Sequence, residues 1–290
     1  MSHIAYVNGR YLPQADAYVH IEDRGYQFAD GVYEVMCIWN GLPVDLTGHI
    51  ARLNRSLREL SMASPASDGA LTFIMKEVVR RNHVEKGTVY IQVNRGVAPR
   101  AHAFPSKNVK PSLVITAKHG AGPSESVAEA GVKVVTTPDI RWKRVDIKTV
   151  GLLPNAMAKQ VAAEARAFEA LLHVDGTVTE ASSSNAWMVT PDKTIVTHPS
   201  TNAILSGITR ATVIRIAKEA GYKVQERAFT VAEALKAKEV FLTGTTTFVM
   251  PVVQIDEKTV ANGSPGTVAL DLRQRYRAFM DGLTDTAWNA

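Results

Sequence analysis

Three turn signals constrain the fold of this 290-residue chain more than any other feature. Asn8-Gly9, Asn40-Gly41 and Asp175-Gly176 each separate two short segments that are rich in apolar residues. Asn-Gly and Asp-Gly are the favoured pairs of tight primed turns, because both turn positions need a positive φ angle. Each pair therefore predicts a β-hairpin, in which the flanking segments are neighbouring antiparallel strands.

Helical and strand patterns lie between these hairpins. The spacing predicts helices over 47–62, 68–82 and 208–220, a strand over 144–148, and a helix opened by Pro154 with an apolar stripe from Met157 to Leu172. Hairpins and helices do not follow the strict βαβ order of a doubly wound sheet. The sequence therefore predicts an α+β fold.

Residues 119–126 form a small, polar stretch with glycine and proline between two well-patterned regions. This composition is typical of a linker. The chain is also longer than the usual single domain of roughly 100–150 residues. We therefore expect a smaller N-terminal domain over 1–118 and a larger C-terminal domain over 127–290.

Composition excludes several classes of protein. The apolar fraction of 46% allows a sizeable core, and a net charge of +5 suits small anionic ligands at least as well as nucleic acid. Cys37 is the single cysteine, which excludes an internal disulfide framework and a multi-cysteine metal site, and its apolar neighbours predict a buried thiol. The chain shows no leader pattern and no apolar stretch of roughly 20 residues. These features predict a cytoplasmic protein that binds neither membranes nor nucleic acid.

Lys148 is the first candidate for chemistry. It ends the basic run 141–148, just before a turn that contains glycine. Neighbouring cations and partial burial both favour the neutral amine, which is the form that attacks an aldehyde to make a Schiff base. The alternatives are an ordinary surface lysine, which the spacing alone favours, or part of a nucleic-acid patch.

Glu180 stands at a predicted strand end, before the serines of 182–184. Its carboxylate could meet a heterocyclic N–H and keep it protonated, or it could cap the following turn. Two further segments could bind phosphate: 207–210, where free N–H groups begin a helix, and the Gly-Thr-Thr-Thr turn 244–247. Together with Arg52 they could form one phosphate site, although periodicity alone places Arg52 at the surface.

Arg100 and His102 follow the alternating strand 88–95 and would project together from extended chain. Arginine binds a carboxylate through two parallel hydrogen bonds. The pair is therefore a candidate carboxylate site, and an ordinary surface loop is the alternative.

Six sequence blocks resemble one known family in order and spacing. They are EDRGYQFADGVYE at 22–34, HIARL at 49–53, PRAH at 99–102, DIK at 146–148, TEASSSN at 179–185 and ILSGITR at 204–210. The chain resembles the fold-type IV pyridoxal-phosphate transaminases over nearly its whole length, and among them the D-amino-acid aminotransferases. The resemblance implies a two-domain α+β fold with the active site between the domains.

The resemblance also implies pyridoxal 5′-phosphate (PLP) as the cofactor. Lys148 would carry it as a Schiff base and move the proton between the substrate Cα and the cofactor. Glu180 would pair with the pyridinium nitrogen, so that the ring remains an electron sink. The remaining cofactor contacts would come from the phosphate-binding residues Arg52, Ile208, Thr209 and Thr245 and from Leu205 against the ring face.

The reaction implied is ping-pong transfer of the amino group from a D-amino acid, such as D-alanine, to a 2-oxo acid, such as 2-oxoglutarate. Tyr33, Arg100 and His102 match the carboxylate trap of D-specific members, in which the Arg-x-His pair reaches over from the neighbouring subunit of a homodimer. Ser206 departs from the longer side chain that relatives tend to carry beside the phosphate.

Three alternatives stay open. Branched-chain L-transaminases of this fold lack the Arg-x-His pattern, and (R)-amine transaminases accommodate an apolar group where a carboxylate would sit. A non-catalytic protein that binds a phosphate ligand is the alternative from a different class.

Overall fold

The computed structural model describes residues 3–120 and 122–289, which form two compact units. The first unit comprises residues 3–120, Ile147–Gly151 and residues 281–289, and the second comprises Gly122–Asp146 and Leu152–Met280. Each unit has its own sheet and its own apolar core. In the described ranges no helix is long and apolar enough to cross a membrane.

The first unit is an antiparallel sheet covered by two long helices. Its elements are β1 (Ile4–Val7), β2 (Arg10–Pro13), α1 (Arg24–Phe28), β3 (Gly31–Trp39), β4 (Leu42–Pro43), α2 (Leu46–Glu59), α3 (Asp68–Arg81), β5 (Lys86–Asn94) and β6 (Ser112–His119). The strand order is β2-β1-β6-β5-β3-β4. The apolar stripes of α2 and α3 share one core with alternate residues of β3 and β5, and the opposite face of β5 carries Tyr90, Gln92 and Asn94.

The second unit has a larger, mixed sheet. Its elements are α4 (Glu125–Ala130), β7 (Val132–Pro138), α5 (Leu153–Glu164), β8 (Glu169–Val174), β9 (Thr177–Ala181), β10 (Asn185–Val189), β11 (Ile195–Thr197), α6 (Ile208–Glu219), β12 (Val224–Glu226), β13 (Phe229–Thr230), α7 (Val231–Lys236), β14 (Glu239–Gly244), β15 (Phe248–Ile255), β16 (Lys258–Thr259) and α8 (Thr267–Asp281). The order is β12-β11-β10-β14-β15-β7-β8-β9-β13, with β16 beside β15. β7 pairs in parallel with both of its neighbours.

The predicted hairpins and the α+β class are confirmed. Asn8, Asn40 and Asp175 have φ angles of 46°, 52° and 49°, and the glycine that follows each also has a positive φ. Helices over 47–62, 68–82 and 208–220 are present as α2, α3 and α6. Cys37 is buried as predicted, and burial raises the pKa of its thiol to about 12.

The predicted strand over 144–148 is wrong. Its alternating residues imitate a half-buried strand, but the segment forms a turn. Thr149 N donates to Ile147 O at 2.8 Å, which bends the chain, and antiparallel pairing begins only where Thr149 meets Val32.

The helix opened by Pro154 exists, but its predicted apolar stripe is wrong. α5 ends at Glu164, and the chain reverses at Arg166, whose φ is 52°. Met157 is 52% exposed, whereas Ala158 is buried against β7 and β8. The small alanines allow close packing on the sheet, so they face inward in place of the larger side chains.

The compact units also differ from the predicted division at 119–126. Ile147–Gly151 belongs to the first unit because it pairs with the start of β3: Tyr33 N donates to Lys148 O, and Val150 N donates to Gly31 O, both at 3.0 Å. Lys148 therefore lies in the first unit, although the predicted division placed it in the C-terminal domain.

Candidate active site

The predicted site residues fall in both units. Tyr33, Arg52, Arg100, His102 and Lys148 belong to the first unit, and Glu180, Leu205, Ile208, Thr209 and Thr245 belong to the second. Direct contacts join Lys148 to Tyr33 in the first unit and Glu180 to Leu205 in the second.

Lys148 is half-buried and contacts Tyr33 through its amine. Nζ donates to Tyr33 Oη at 3.2 Å and lies 4.3 Å from the centre of the ring. The backbone pairing between 147–151 and β3 creates this contact, because it places the two residues side by side. Since the phenol oxygen accepts from Nζ, its own hydrogen can be donated to another group, such as a carboxylate.

Arg52 is buried, not at the surface as periodicity alone predicted, because Glu34 of β3 binds it. Nε and Nη2 of Arg52 each donate to one Glu34 oxygen at 2.7 Å, and His49 Nδ1 lies 2.7 Å from the same carboxylate. Burial disfavours the ionised carboxyl, but Arg52 and His49 outweigh it and lower the pKa of Glu34 to about 2. Burial also lowers the pKa of His49, against the effect of Glu34.

Sequence reasoning missed Glu34 and His49 as part of this group. The available signal was a charged residue on the core-facing side of β3, between buried Val32 and Met36. A buried carboxylate needs a cation or several donors, so its presence there already called for a partner on α2.

Arg100 and His102 are exposed and meet at one aromatic ring. The Arg100 guanidinium lies 4.6 Å from the centre of Phe28, and the His102 ring packs edge-on at 5.8 Å. Arg24 stacks on Phe28 at 4.6 Å and donates to Ala101 O at 2.6 Å. The loop is therefore held at its middle, while the Arg100 guanidinium has no carboxylate partner in residues 3–120 or 122–289.

Glu180 is buried in the second unit and receives several hydrogen bonds. Asn185 Nδ2 donates to Oε2 at 2.9 Å, Leu205 N lies 3.1 Å from the same oxygen, and Arg141 contacts Oε1. Burial raises the pKa of Glu180, and Arg141 and Leu205 N oppose that rise. These donors fix the carboxylate in one orientation.

Arg141 was seen in the sequence only as part of a basic run. It bridges two carboxylates, because its guanidinium also binds Asp139 through two hydrogen bonds of 2.9 and 2.7 Å. Thr179 Oγ1 donates to Asp139 at 2.7 Å. Sequence spacing offered no signal for this pairing, since Asp139 and Glu180 are brought together only by the sheet.

The start of α6 has the donor chemistry of a phosphate site. Ile208 and Thr209 form its first turn, whose N–H groups have no partner within a helix, and no side chain caps them. A Cβ at Gly207 would lie 2.0 Å from Asn185 Oδ1, so glycine permits this close approach. Asn185 also donates to Leu205 O at 2.8 Å, which holds the Glu180 group beside the helix start.

The turn 244–247 adds hydroxyl groups to this part of the second unit. Thr245 is half-buried, and the Thr247 hydroxyl is buried without a hydrogen-bond partner among the residues described. A Cβ at Gly244 would lie 3.3 Å from Ser184 Oγ, so the turn lies close to the serine segment that follows Glu180. Together, uncapped amides and a hydroxyl in need of a partner fit a phosphate.

A buried carboxylate of β8 that the sequence did not single out holds this serine segment. Glu169 is 0% exposed, and it accepts hydrogen bonds from the hydroxyls of Ser182, Ser183 and Ser184 and from Ser183 N. One buried carboxylate therefore holds the whole segment between β9 and β10. Ser206 is exposed and lies 3.5 Å from Ser200, oxygen to oxygen.

Comparison with known sequences gives one consistent family. A model of the amino-transferase class IV family matches residues 31–255. The D-alanine aminotransferase of Bacillus licheniformis is 44% identical over 266 residues, which are 92% of this chain and 93% of that protein. The D-alanine aminotransferase of Staphylococcus haemolyticus is 38% identical over 276 residues, which are 95% and 97% of the two chains.

Solved structures agree on the fold. A branched-chain amino acid aminotransferase from T.th., solved with pyridoxamine 5′-phosphate, has a TM-score of 0.89 and 30% identity, and the match covers 100% of this chain and 97% of that one. The branched-chain amino acid aminotransferase of Escherichia coli also has a TM-score of 0.89, over 98% of this chain and 97% of its own. At 22% identity, this second match shows the fold alone.

Proposed function

Since the chain belongs to the class IV aminotransferases, which are PLP enzymes, we propose that it is a D-amino-acid transaminase. It would transfer the amino group of a D-amino acid, such as D-alanine, to a 2-oxo acid, such as 2-oxoglutarate. The observation that carries the proposal is the exposed pair Arg100 and His102, which is held on Phe28 and has donor chemistry that suits a carboxylate. The names of relatives at 38–44% identity support the same substrate class.

Bound PLP supplies an aldehyde that condenses with amines and a ring that accepts the electrons of the broken Cα–H bond. Lys148 would hold that aldehyde through Nζ, and it would take the proton from the substrate Cα after the amino acid displaces it. Tyr33 Oη, which accepts from Nζ, would donate its hydrogen to the substrate carboxylate. Both roles depend on the contact between Lys148 Nζ and Tyr33 Oη.

The other residues would bind PLP and orient it. Glu180 would hold a proton on the ring nitrogen, and its own donors keep the carboxylate fixed. Arg52, clamped by Glu34, would present one rigid guanidinium to the phosphate. The first turn of α6 and Thr245 would bind the same phosphate through amides and a hydroxyl, and Leu205 would pack on the ring.

The proposal includes a homodimer, in which Arg100 and His102 act in the site of the neighbouring copy. Their exposure in a single chain supports this, and so do the exposed apolar side chains nearby in sequence. These are Tyr18, Ile21, Tyr26 and Phe104, which are 60–78% exposed. A cytoplasmic location belongs to the same proposal.

The first experiment measures the initial rate of pyruvate formation by the holoenzyme from D-alanine and 2-oxoglutarate, with L-alanine in parallel. A rate with D-alanine at least about 100-fold above that with L-alanine is expected, because a difference of about 3 kcal/mol is typical of one well-placed charged contact. Lys148→Ala should show no steady turnover. Equal rates, or a preference for L-alanine, would contradict the substrate class and leave the family unaffected.

A branched-chain L-amino-acid transaminase is the second candidate. The observation that favours it is the fold match at 29–30% identity to an enzyme of that name. The same assay with L-leucine as donor separates the two, since only this candidate predicts that L-leucine exceeds D-alanine.

A further inference from the structure

The open face of β5 carries three polar side chains that the proposed chemistry does not use. Tyr90, Gln92 and Asn94 alternate along the strand with residues that are fully buried in the core. The row ends at Asp23, whose exposure is 0%. A row that is half-buried at Tyr90 and Gln92 and buried at Asn94 and Asp23 lies on the sheet face that also bears Tyr33, and its polar atoms need partners.

The hydrogen bonds along this row all donate in the same direction, from Tyr90 toward Asp23. Tyr90 Oη donates to Gln92 Oε1 at 2.6 Å, and Gln92 Nε2 donates to Asn94 Oδ1 at 2.7 Å. Asn94 Nδ2 then donates to Asp23 Oδ1 at 2.6 Å. Because a carboxylate only accepts hydrogen bonds, Asp23 fixes the orientation of the Asn94 amide. That amide fixes Gln92 in turn, and Gln92 receives the hydrogen of Tyr90.

Tyr90, at the opposite end of the row from Asp23, lies beside Tyr33. Tyr33 and Gln92 are directly opposite each other on β3 and β5, and the rings of Tyr33 and Tyr90 are 5.6 Å apart. Burial raises the pKa of Tyr90 to about 12, and Tyr33 adds to the rise. Tyr90 therefore keeps its hydrogen for Gln92, and its ring, held by that bond, packs against the ring of Tyr33, whose hydroxyl contacts Lys148.

Asp23 also stands at the base of the loop that carries Arg100 and His102. Its backbone pairs with Val97 as an isolated bridge. On either side of it, Arg24 N donates to Gly96 O at 2.9 Å, and Ala98 N donates to Glu22 O at 3.3 Å. One residue thus contacts both parts of the proposed carboxylate trap.

The hydrogen bonds of the Asp23 carboxylate are concentrated on a single oxygen. Oδ1 accepts from Asn94 and from Gly25 N at 2.8 Å, while Oδ2 is buried without a partner in the part of the chain described. No other side-chain donor there competes with Asn94 for the carboxylate, so the row depends on this one acceptor.

We propose that Asp23 is a positioning residue for the substrate carboxylate: it orients Tyr33 through the row Tyr90–Gln92–Asn94 and it fixes the Arg100–His102 loop through its backbone. The inference rests on the proposed D-amino-acid transaminase activity, because it deepens the description of the proposed substrate sites. Tyr33 would act in the site of its own chain, and the Arg100–His102 loop in the site of the neighbouring copy. Asp23 itself touches no reacting atom.

The test compares Asp23→Ala and Tyr90→Phe, which remove the two ends of the row, with Asp23→Asn, which keeps an acceptor oxygen at Oδ1. For both of the first two, we expect KM for D-alanine to rise about tenfold, the factor for one lost hydrogen bond, with kcat within twofold. The ratio of the D-alanine rate to the L-alanine rate should fall as KM rises. Asp23→Asn should retain the KM of the parent enzyme.

The control is Ser67→Ala. Ser67 caps α3 in the same unit, through a 3.3 Å bond from Ala70 N, just as Asp23 caps α1. Its loss removes a helix cap, as Asp23→Ala does, without touching the row. PLP affinity, measured by fluorescence titration of the apoenzyme, should be the same in all variants.

Two results would overturn the proposal. One is a parental KM in Tyr90→Phe, a variant that leaves the α1 cap intact and carries the test if Asp23→Ala does not fold. The other is an equal KM change in Ser67→Ala. Failure of the proposed function looks different, because the parent holoenzyme itself would then show no preference for D-alanine.

Discussion

The two arginines proposed to bind anions in the first unit are held in opposite ways. Arg52 is 8% exposed, and a buried carboxylate binds one edge of its guanidinium through Nε and Nη2. Arg100 is exposed on a loop and rests on an aromatic ring. A rigid guanidinium suits a ligand that stays bound through every turnover, as the cofactor phosphate does. A loop suits a substrate that must enter and leave in each half-reaction.

The largest effect on this difference between the two arginines is expected when the counter-charge of Arg52 is removed. Glu34→Gln leaves a buried guanidinium without its carboxylate, which typically costs about 3–5 kcal/mol. We expect a large fall in the free energy of unfolding, measured by urea denaturation, and weaker PLP retention on dialysis.

The matched control for this change is Glu77→Gln. Glu77 pairs with Arg80 and Arg81 on the surface of α3, and they lower its pKa to about 2, as for Glu34. A surface pair contributes little, so stability should be unchanged. If both variants lost the same stability, burial would not distinguish the two arginine sites.

The same pair predicts a dependence of stability on pH. The pKa of Glu34 is lowered to about 2 in the folded chain, from 4.5. The carboxylate therefore stabilises the fold fully above about pH 4.5, and this contribution, roughly 3 kcal/mol, is lost as the pH falls toward 2. Urea melts between pH 5 and pH 2.5 should show a steeper loss in the parent than in Glu34→Gln. If stability fell with pH equally in both proteins, Glu34 would not be the cause of the pH dependence.

Arg100→Lys tests the other side of the comparison. Lysine keeps the charge but loses the two-pronged hydrogen bond to a carboxylate. We expect KM for D-alanine and for 2-oxoglutarate to rise about tenfold, with an unchanged melting temperature because the residue is exposed. Arg58→Lys, also exposed on the first unit, should leave both quantities unchanged. A lower melting temperature in Arg100→Lys would contradict the loop interpretation.

Phe28→Leu is expected to have the smallest effect. The ring supports Arg24 and Arg100, each at 4.6 Å, and for an exposed cation such as Arg100 the contact contributes about 0.5–1 kcal/mol. KM for D-alanine should rise about two- to fivefold. An effect larger than that of Arg100→Lys would show that the ring acts on more than the loop.

Local signals in the sequence predicted the hairpins, the long helices and the α+β class, because turn chemistry and periodicity are properties of short segments. They failed at 144–148 and along α5, where long-range packing decides the outcome: Thr149 pairs with Val32, and Ala158 packs on the sheet. The predicted site residues came from sequence blocks. Of their partners, Glu34 did carry a signal, because it lies on the core-facing side of β3. Arg141 and Glu169 could not be assigned, since the folded sheet brings them to Glu180 and to the serine segment.

The first unit is assembled from three separate pieces of chain, and this has a consequence for synthesis on the ribosome. Trp288 belongs to its core, and Asp281 accepts a hydrogen bond from Trp39 at 2.7 Å. The segment that bears Lys148 is added only after the first sheet has been made. Nascent chains emerge at about 5–20 residues per second. For roughly ten seconds or more of translation, the N-terminal sheet must therefore wait with part of its core missing, and the core is complete only after residues 281–289 have also been made.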